Sequence, residues 1–292
     1  MLPTNFVFLD TETTGLNPRR DRIIEIGLIR VENNKEVGRF QTLLNPHTYV
    51  SPFITDITGI VGQNLENAPE FEDIAKELHE YLENAILVAH NARFDYGFLK
   101  YEFLRIGQKY TSKSLCTAKL SRILFPKYRR HNLDSIIERF NISVANRHRA
   151  FDDAMAIWEF YTKLQRDSNE KKLHDAVQFL LKHPSLPMHL RSKEIDTVSN
   201  GPGVYLFYGD NDTPLYIGKS VTVKDRIKSH FGSDHSNSRE MSLSSQVKRI
   251  EVLPTSGELG ALLKEAELIK KLQPVYNRKL RQARRLIIIK EI

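Results

Sequence analysis

The chain has 292 residues, too long for one ordinary domain and comfortable for two. Its hydrophobic fraction of 40% and charged fraction of 27% exclude a disordered or fibrous chain, and the single cysteine, Cys116, excludes an intrachain disulfide framework and fits a reducing compartment. Six of the seven net positive charges fall in residues 200–292, where 16 Lys or Arg face 10 Asp or Glu, a footprint suited to a polyanion or to a solvated basic surface.

No stretch approaches the ~18 apolar residues of a membrane span. The opening MLPTNFVFLD reads as a first strand, not as a signal peptide, so a cytoplasmic protein without membrane contact is expected. Residues 5–10, 23–32 and 37–44 are short β-rich runs, and 71–83 has helical spacing through Ile74, Leu78 and Leu82. A strand at 85–90 and a helix at 93–106 follow, then helical patterns at 115–124, 133–140 and 151–164. Strands first, then strands mixed with helices, predict an α/β domain over residues 1–168 with a mixed sheet. Residues 169–199 are predicted as a linker with one helix at 170–182, because 183–200 carries two prolines and little periodicity. A second domain, 200–292, begins with a hairpin of 203–208 and 215–218 around the turn-rich 209–214. A helix at 221–231, a polar loop at 234–245, a strand at 247–253 and a strong helix at 258–272 complete it.

Four carboxylates stand where carboxylates are costly. Asp10 and Glu12 sit at i and i+2 at the end of a strand that is apolar on both faces, so both side chains point the same way. Side by side they repel, and a divalent cation would remove that penalty; a pair of exposed acids at a strand end is the ordinary alternative. Asp95 shares the stripe of Phe98, Leu99 and Ile106 just after a strand; an acid there also suits helix capping. Asp153 flanks the apolar face of Ala154, Ile157, Trp158 and Tyr161, while Asp152 points almost opposite. His148 precedes Asp153 by five residues, too far around one continuous helix to share its face. It is therefore placed on the preceding loop, folded back over the site.

Together these residues spell D-x-E-T-T-G at 10–15, H-N-x-x-x-D at 90–95 and H-x-x-x-x-D at 148–153. Over residues 3–165 this resembles the DEDDh exonuclease family. The resemblance implies an RNase H-like mixed sheet with flanking helices and two Mg2+ or Mn2+ ions held by Asp10, Glu12, Asp95 and Asp153. It also implies His148 as base, with nucleoside 5′-monophosphates released from a 3′ end.

The C-terminal domain carries Gly203-Val204-Tyr205, ten residues, then Tyr216-Ile217-Gly218. If Phe207 pairs with Tyr216, both tyrosines lie on one face; a one-residue slip separates them. Singly, each is equally a packed strand tyrosine. Lys219 follows at once, and Arg226 and His230 stand one helical turn apart. On helix 258–272 the apolar stripe is read as Leu259, Leu262, Ala266 and Ile269, with Glu265 on its border and in need of a partner such as a metal. Over residues 200–280 this resembles the GIY-YIG nuclease family, specifically the UvrC incision domain. The resemblance implies a small α/β domain with a short antiparallel sheet, Tyr216 acting on the attacking water, and Lys219 and Arg226 steadying charge. It further implies one divalent ion on Glu265, with Tyr205 and Asn277 completing the site. His230 stands where UvrC-like domains often have tyrosine.

The expected function is a bifunctional, metal-dependent nuclease acting on DNA in repair. Its expected partners are single-stranded 3′ ends and nicked or damaged duplex. Two alternatives remain: an exonuclease whose GIY-YIG part only binds or targets DNA, and an RNA-trimming enzyme, since the metal cluster is indifferent to the sugar. The basic run 278–285 suits phosphate contact and equally a solvated surface.

Overall fold

The computed structural model describes residues 2–182, 190, 195–232, 240, 243, 244 and 246–277. It divides into two compact units, Met1–His183 and Pro184–Ile292. The basic run 278–285, most of the polar loop 234–245 and most of the linker after 182 lie outside the described residues.

The first unit is built on a five-stranded sheet in the order β3-β2-β1-β4-β5. Its strands are β1 (Asn5–Thr13), β2 (Ile23–Glu32), β3 (Lys35–Leu43), β4 (Ile86–Ala89) and β5 (Ser114–Cys116). β1 runs antiparallel to β2 and parallel to β4, which makes the sheet mixed. Phe6, Val7, Phe8 and Leu9 are all buried, so β1 is covered on both faces and its apolar residues run without alternation. Two short helices, α1 (Pro52–Thr58) and α2 (Gly62–Leu65), escape the sequence pattern because neither is long enough to show a period. Five longer ones follow: α3 (Phe71–Leu82), α4 (Arg93–Arg105), α5 (Thr117–Leu124), α6 (Leu133–Phe140) and α7 (Ala150–Asp167). The run 115–124, predicted as helical throughout, starts with the last residues of β5, an edge strand too short for alternation to register.

Ile157, Phe160 and Tyr161 of α7 pack against Phe6, Phe8, Ile29 and Val31 in one core. Leu173, Ala176 and Val177 of α8 (Glu170–Lys182) enter the same core, so the helix predicted within the linker packs as part of the first unit. α7 reaches the sheet closely at its N-terminus: a Cβ on Gly27 would collide with the backbone of Ala150 and Phe151. Gly27 pairs directly with Asp10, so this close approach is what brings the first turn of α7 to the end of β1.

Two residues along, on the same face, Glu25 pairs with Glu12 and anchors the same helix start. Its fully buried carboxylate accepts from Arg149 Nη2 at 2.7 Å and from the Ala150 N–H at 3.0 Å. Arg149 keeps 38% of its side chain exposed and Glu25 repels Glu12, so loss of the carboxylate mainly leaves the Ala150 N–H and a partly solvated guanidinium unpaired, a cost of about 1–3 kcal/mol. Glu25→Ala is therefore expected to lower the unfolding free energy by about that amount in a urea titration. A loss under about 1 kcal/mol would mean that other contacts hold the start of α7.

The second unit has a three-stranded antiparallel sheet in the order β7-β6-β8. Its elements are β6 (Gly203–Tyr208), β7 (Pro214–Ser220), α9 (Val223–Gly232), β8 (Arg249–Pro254) and α10 (Glu258–Leu272). In the hairpin Phe207 pairs with Tyr216 and Tyr205 with Gly218, which places Tyr205, Phe207 and Tyr216 on one face. That face packs on Val223, Ile227 and Phe231, and the opposite one, Val204, Leu206 and Ile217, on Ala261 and Ile269. α10 is turned relative to the sequence reading. Leu259 is 70% and Leu262 44% exposed, whereas Ala261 and Ile269 are buried. With Ala261 at i−4 and Ile269 at i+4, Glu265 lies mid-face toward the sheet and not on a border.

Candidate active sites

Three chain segments bring acids to the C-terminal end of β1 in the first unit. Asp10 and Glu12 come from the strand itself, Asp95 from the first turn of α4, and Asp153 from the first turn of α7. Asp95 Oδ1 accepts from the Thr11 N–H at 3.1 Å and from the Thr11 hydroxyl at 2.9 Å, which ties α4 to the residue between the two strand acids. Single ligand atoms of Glu12, His148 and Asp153 lie within 4.8 Å of one another. His148 sits in the loop before α7 with φ 59°, a left-handed turn that histidine tolerates better than most residues.

These carboxyl groups hold their protons far more tightly than usual. Burial first, then the charges of Asp95, Asp153 and Glu12, push Asp10 well above the ordinary aspartate range. Glu12 is pushed up to about 8 by burial, with Asp153 and Glu25 adding to it. Asp95 rises to about 7 through burial, which outweighs the lowering effect of Thr11. Burial likewise raises Asp153, although Arg147 pulls it back. A set of half-buried to buried acids that repel one another is a seat for positive charge. An all-oxygen cluster with one imidazole beside it suits a hard divalent cation, and the residues present fit one.

Sequence reasoning missed Arg147 in this setting. Its guanidinium bonds to Asp153 and, at 2.7 Å, to Asp134, so a side-chain cation stands beside the acids. Glu25 was missed as well, although a lone acid inside the apolar run of β2 is a readable signal. His90 is partly buried, pushed down to about 4 by desolvation, and its Nδ1 lies 3.1 Å from the Thr117 hydroxyl; it stays neutral and helps fix the β4–α4 turn.

In the second unit the residues gather on the aromatic face of the hairpin. The Tyr205 and Tyr216 rings are 6.1 Å apart, and His230 of α9 is 5.5 Å and 5.2 Å from them. A Cβ on Gly218 would meet the Tyr205 ring and, at 2.9 Å, the Tyr216 ring, so this position admits only glycine. Burial raises both phenols above their ordinary range, and Arg226 only partly offsets this at each of them. Glu265 accepts from the Lys219 N–H at 3.1 Å, and burial raises its carboxyl. The Lys219 ammonium turns to Glu258, 2.8 Å away. Asn277 accepts from the Ile217 N–H at 2.9 Å and donates to the Ile217 carbonyl at 2.8 Å. Its amide thus pins the strand between Tyr216 and Gly218.

Comparison with known proteins agrees with both geometries. The family model described as Exonuclease matches residues 7–161, and the UvrC-like GIY-YIG domain model matches residues 201–278. The PolC-type DNA polymerase III of Caldanaerobacter subterraneus is 39% identical over 163 residues, covering 56% of this chain and 12% of the polymerase. A Mycobacterium tuberculosis protein called a bifunctional exonuclease/endonuclease is 29% identical over 287 residues, covering 94% of this chain and 44% of that protein. The chain thus spans a small part of the polymerases and under half of the mycobacterial protein. A zinc-bound E. coli exonuclease I in complex with single-stranded DNA shares the fold, with a TM-score of 0.55 and 18% identity over 70% of this chain and 48% of that one. The chain belongs to the exonuclease family through residues 7–161 and carries a UvrC-like GIY-YIG domain at 201–278.

Proposed function

We propose that this protein is a bifunctional DNA nuclease of repair, joining a 3′→5′ exonuclease to a UvrC-like endonuclease. The observation that carries the reading is the meeting of Glu12, His148 and Asp153 from separate segments at one strand end, with Asp10 and Asp95 near enough for the acids to repel one another. Mg2+ or Mn2+ ions held by the four carboxylates, two in number, would supply charge neutralisation for the acids and for the phosphate under attack. His148 stands within reach of Glu12 and Asp153, where it takes the proton of the attacking water. Nucleoside 5′-monophosphates leave from the 3′ end. In the second unit Glu265 would hold one divalent ion, Tyr216 faces the attacking water, and Lys219 and Arg226 steady the phosphate charge. Asn277 and Tyr205 keep that face in place. The likeness of 94% of the chain to a protein called an exonuclease/endonuclease supports both activities in one polypeptide.

The test is a covalently closed plasmid incubated with Mg2+ or with chelator. Nicked circles are expected with Mg2+ only, equally with Asp10→Ala, and at least ~10²-fold more slowly with Glu265→Ala. Circles left closed by the wild type would reduce the second unit to a binding module.

A further inference from the structure

The second unit also holds a buried line of hydrogen bonds that the reading above leaves without a task. The Tyr205 hydroxyl lies 2.7 Å from Nε2 of His230, and Nδ1 of the same ring lies 2.6 Å from Oε2 of Glu240. Tyr205 and His230 are almost wholly buried, and Glu240 closes the line from the far side. With a neutral ring, donor and acceptor types fix the protons. A carboxylate only accepts, so Nδ1 carries the hydrogen. The neutral ring then offers Nε2 as an acceptor, and the Tyr205 hydroxyl donates to it. The Tyr216 ring, one strand over, lies 6.1 Å from that of Tyr205 and 5.2 Å from that of His230.

We propose that Glu240 is a positioning residue that holds His230 as its Nδ1–H tautomer, making Nε2 the final acceptor of the proton that the Tyr216–Tyr205 pair takes from the attacking water. The proposal rests on the endonuclease reading of the second unit. As the water oxygen forms its bond to phosphorus, its proton goes to the Tyr216 oxygen. Tyr216 passes its own proton to Tyr205, and Tyr205 passes its own to His230 Nε2. The departing oxygen leaves with the electron pair of its P–O bond and takes a proton from solvent, and the imidazolium returns its proton to solvent. This route avoids a free phenolate, which burial disfavours at both tyrosines. Imidazole, unlike phenol, accepts a proton readily near neutral pH. It also gives a reason for histidine at 230: an aromatic ring with a second nitrogen can be anchored from behind, as a phenol cannot.

Two measurements test this on the full chain. Nitrogen-15 NMR of the histidine rings, with His230 assigned by its loss in His230→Asn, reads the tautomer without substrate. The expected wild-type state is a neutral ring protonated on Nδ1, and in Glu240→Gln that ring is expected to redistribute toward Nε2–H. Plasmid nicking in Glu240→Gln is expected to fall about 10²-fold or more at unchanged KM, with part of the rate returning in Glu240→Asp. A wild-type ring protonated on Nε2 overturns the proposal, whether or not plasmid is cut. So does a Glu240→Gln variant that nicks at the wild-type rate. Absence of nicking in the wild type is a failure of the endonuclease reading instead, and the tautomer distinguishes the two.

Discussion

Replacing Asp10 by alanine is expected to remove release of nucleotides from a 3′-labelled strand, by about 10³-fold or more, which is ~4 kcal/mol of transition-state stabilisation. The fold is expected to survive. Asp10 lies near the end of β1 and pairs with Gly27, the residue of β2 on which the start of α7 closes. Its carboxyl is held well above the usual range by burial and by three neighbouring acids, so in chelator it is a cost to the native state and not a support. The shape-conserving Asp10→Asn is therefore expected to melt in chelator no lower than the wild type, and by up to about 4 °C higher, while remaining inactive. A variant that trims 3′ ends at the wild-type rate would place the chemistry elsewhere. One that loses activity together with several degrees of stability would make Asp10 a structural residue.

That opposition between stability and chemistry is also why the acids were legible. Asp10, Glu12, Asp95 and Asp153 each break a local pattern: two end a strand that is apolar on both faces, and two sit on or beside apolar helical stripes. A charge on such a stripe is costly, and the cost is visible in one dimension. His148 could be placed on a loop by counting, since five residues do not return to the same helical face. Its left-handed backbone, next to Arg149 and Ala150 with their bonds to the distant Glu25, has no counterpart in the local pattern.

What the sequence hid depends on three-dimensional partners. Arg147 reads as one arginine in a basic run, and only the turn before α7 brings it to Asp153 and Asp134. Glu240 lies in a polar stretch without periodicity, so nothing along the chain connects it to His230. α10 was misread by about one residue of rotation because five apolar residues, Leu259, Leu262, Leu263, Leu268 and Leu272, offer two competing stripes. Packing chose the one that contains Ala261, because the small side chain lets the helix lie close on Ile217 and Leu206. The hairpin register was open in the sequence, because β6 is apolar on both faces and shows no alternation; pairing of Phe207 with Tyr216 is what puts the aromatic residues on one side.

The stability conferred by a divalent cation is expected to grow steeply as pH rises from about 5 to about 8. Glu12 has its folded value near 8 against an ordinary 4.5, and Asp95 about 7 against 3.8. Below about pH 3 both groups are protonated in the folded and the unfolded chain alike, and they contribute no penalty. Between the ordinary and the raised values the unfolded chain loses these protons and the metal-free native state keeps them. The native state then binds more protons than the unfolded one, and its stability falls with each unit of pH. A cation reverses the sign of the interaction, because it binds the ionised carboxylates that the metal-free site disfavours. At pH 5 it must compete with protons and adds little; at pH 8 that competition is much weaker, with Glu12 about half ionised, and it adds most of RT ln(1 + [M]/Kd). The melting temperature with saturating Mn2+ is therefore expected to exceed that in chelator by about 4 °C or more at pH 8, and by about 1 °C or less at pH 5. Asp10→Asn is expected to flatten this dependence, whereas Glu265→Ala, which lies in the other unit, should leave most of it intact. A metal increment that is the same at both pH values would mean that the cation is seated on groups already ionised at pH 5, and so not on these carboxylates.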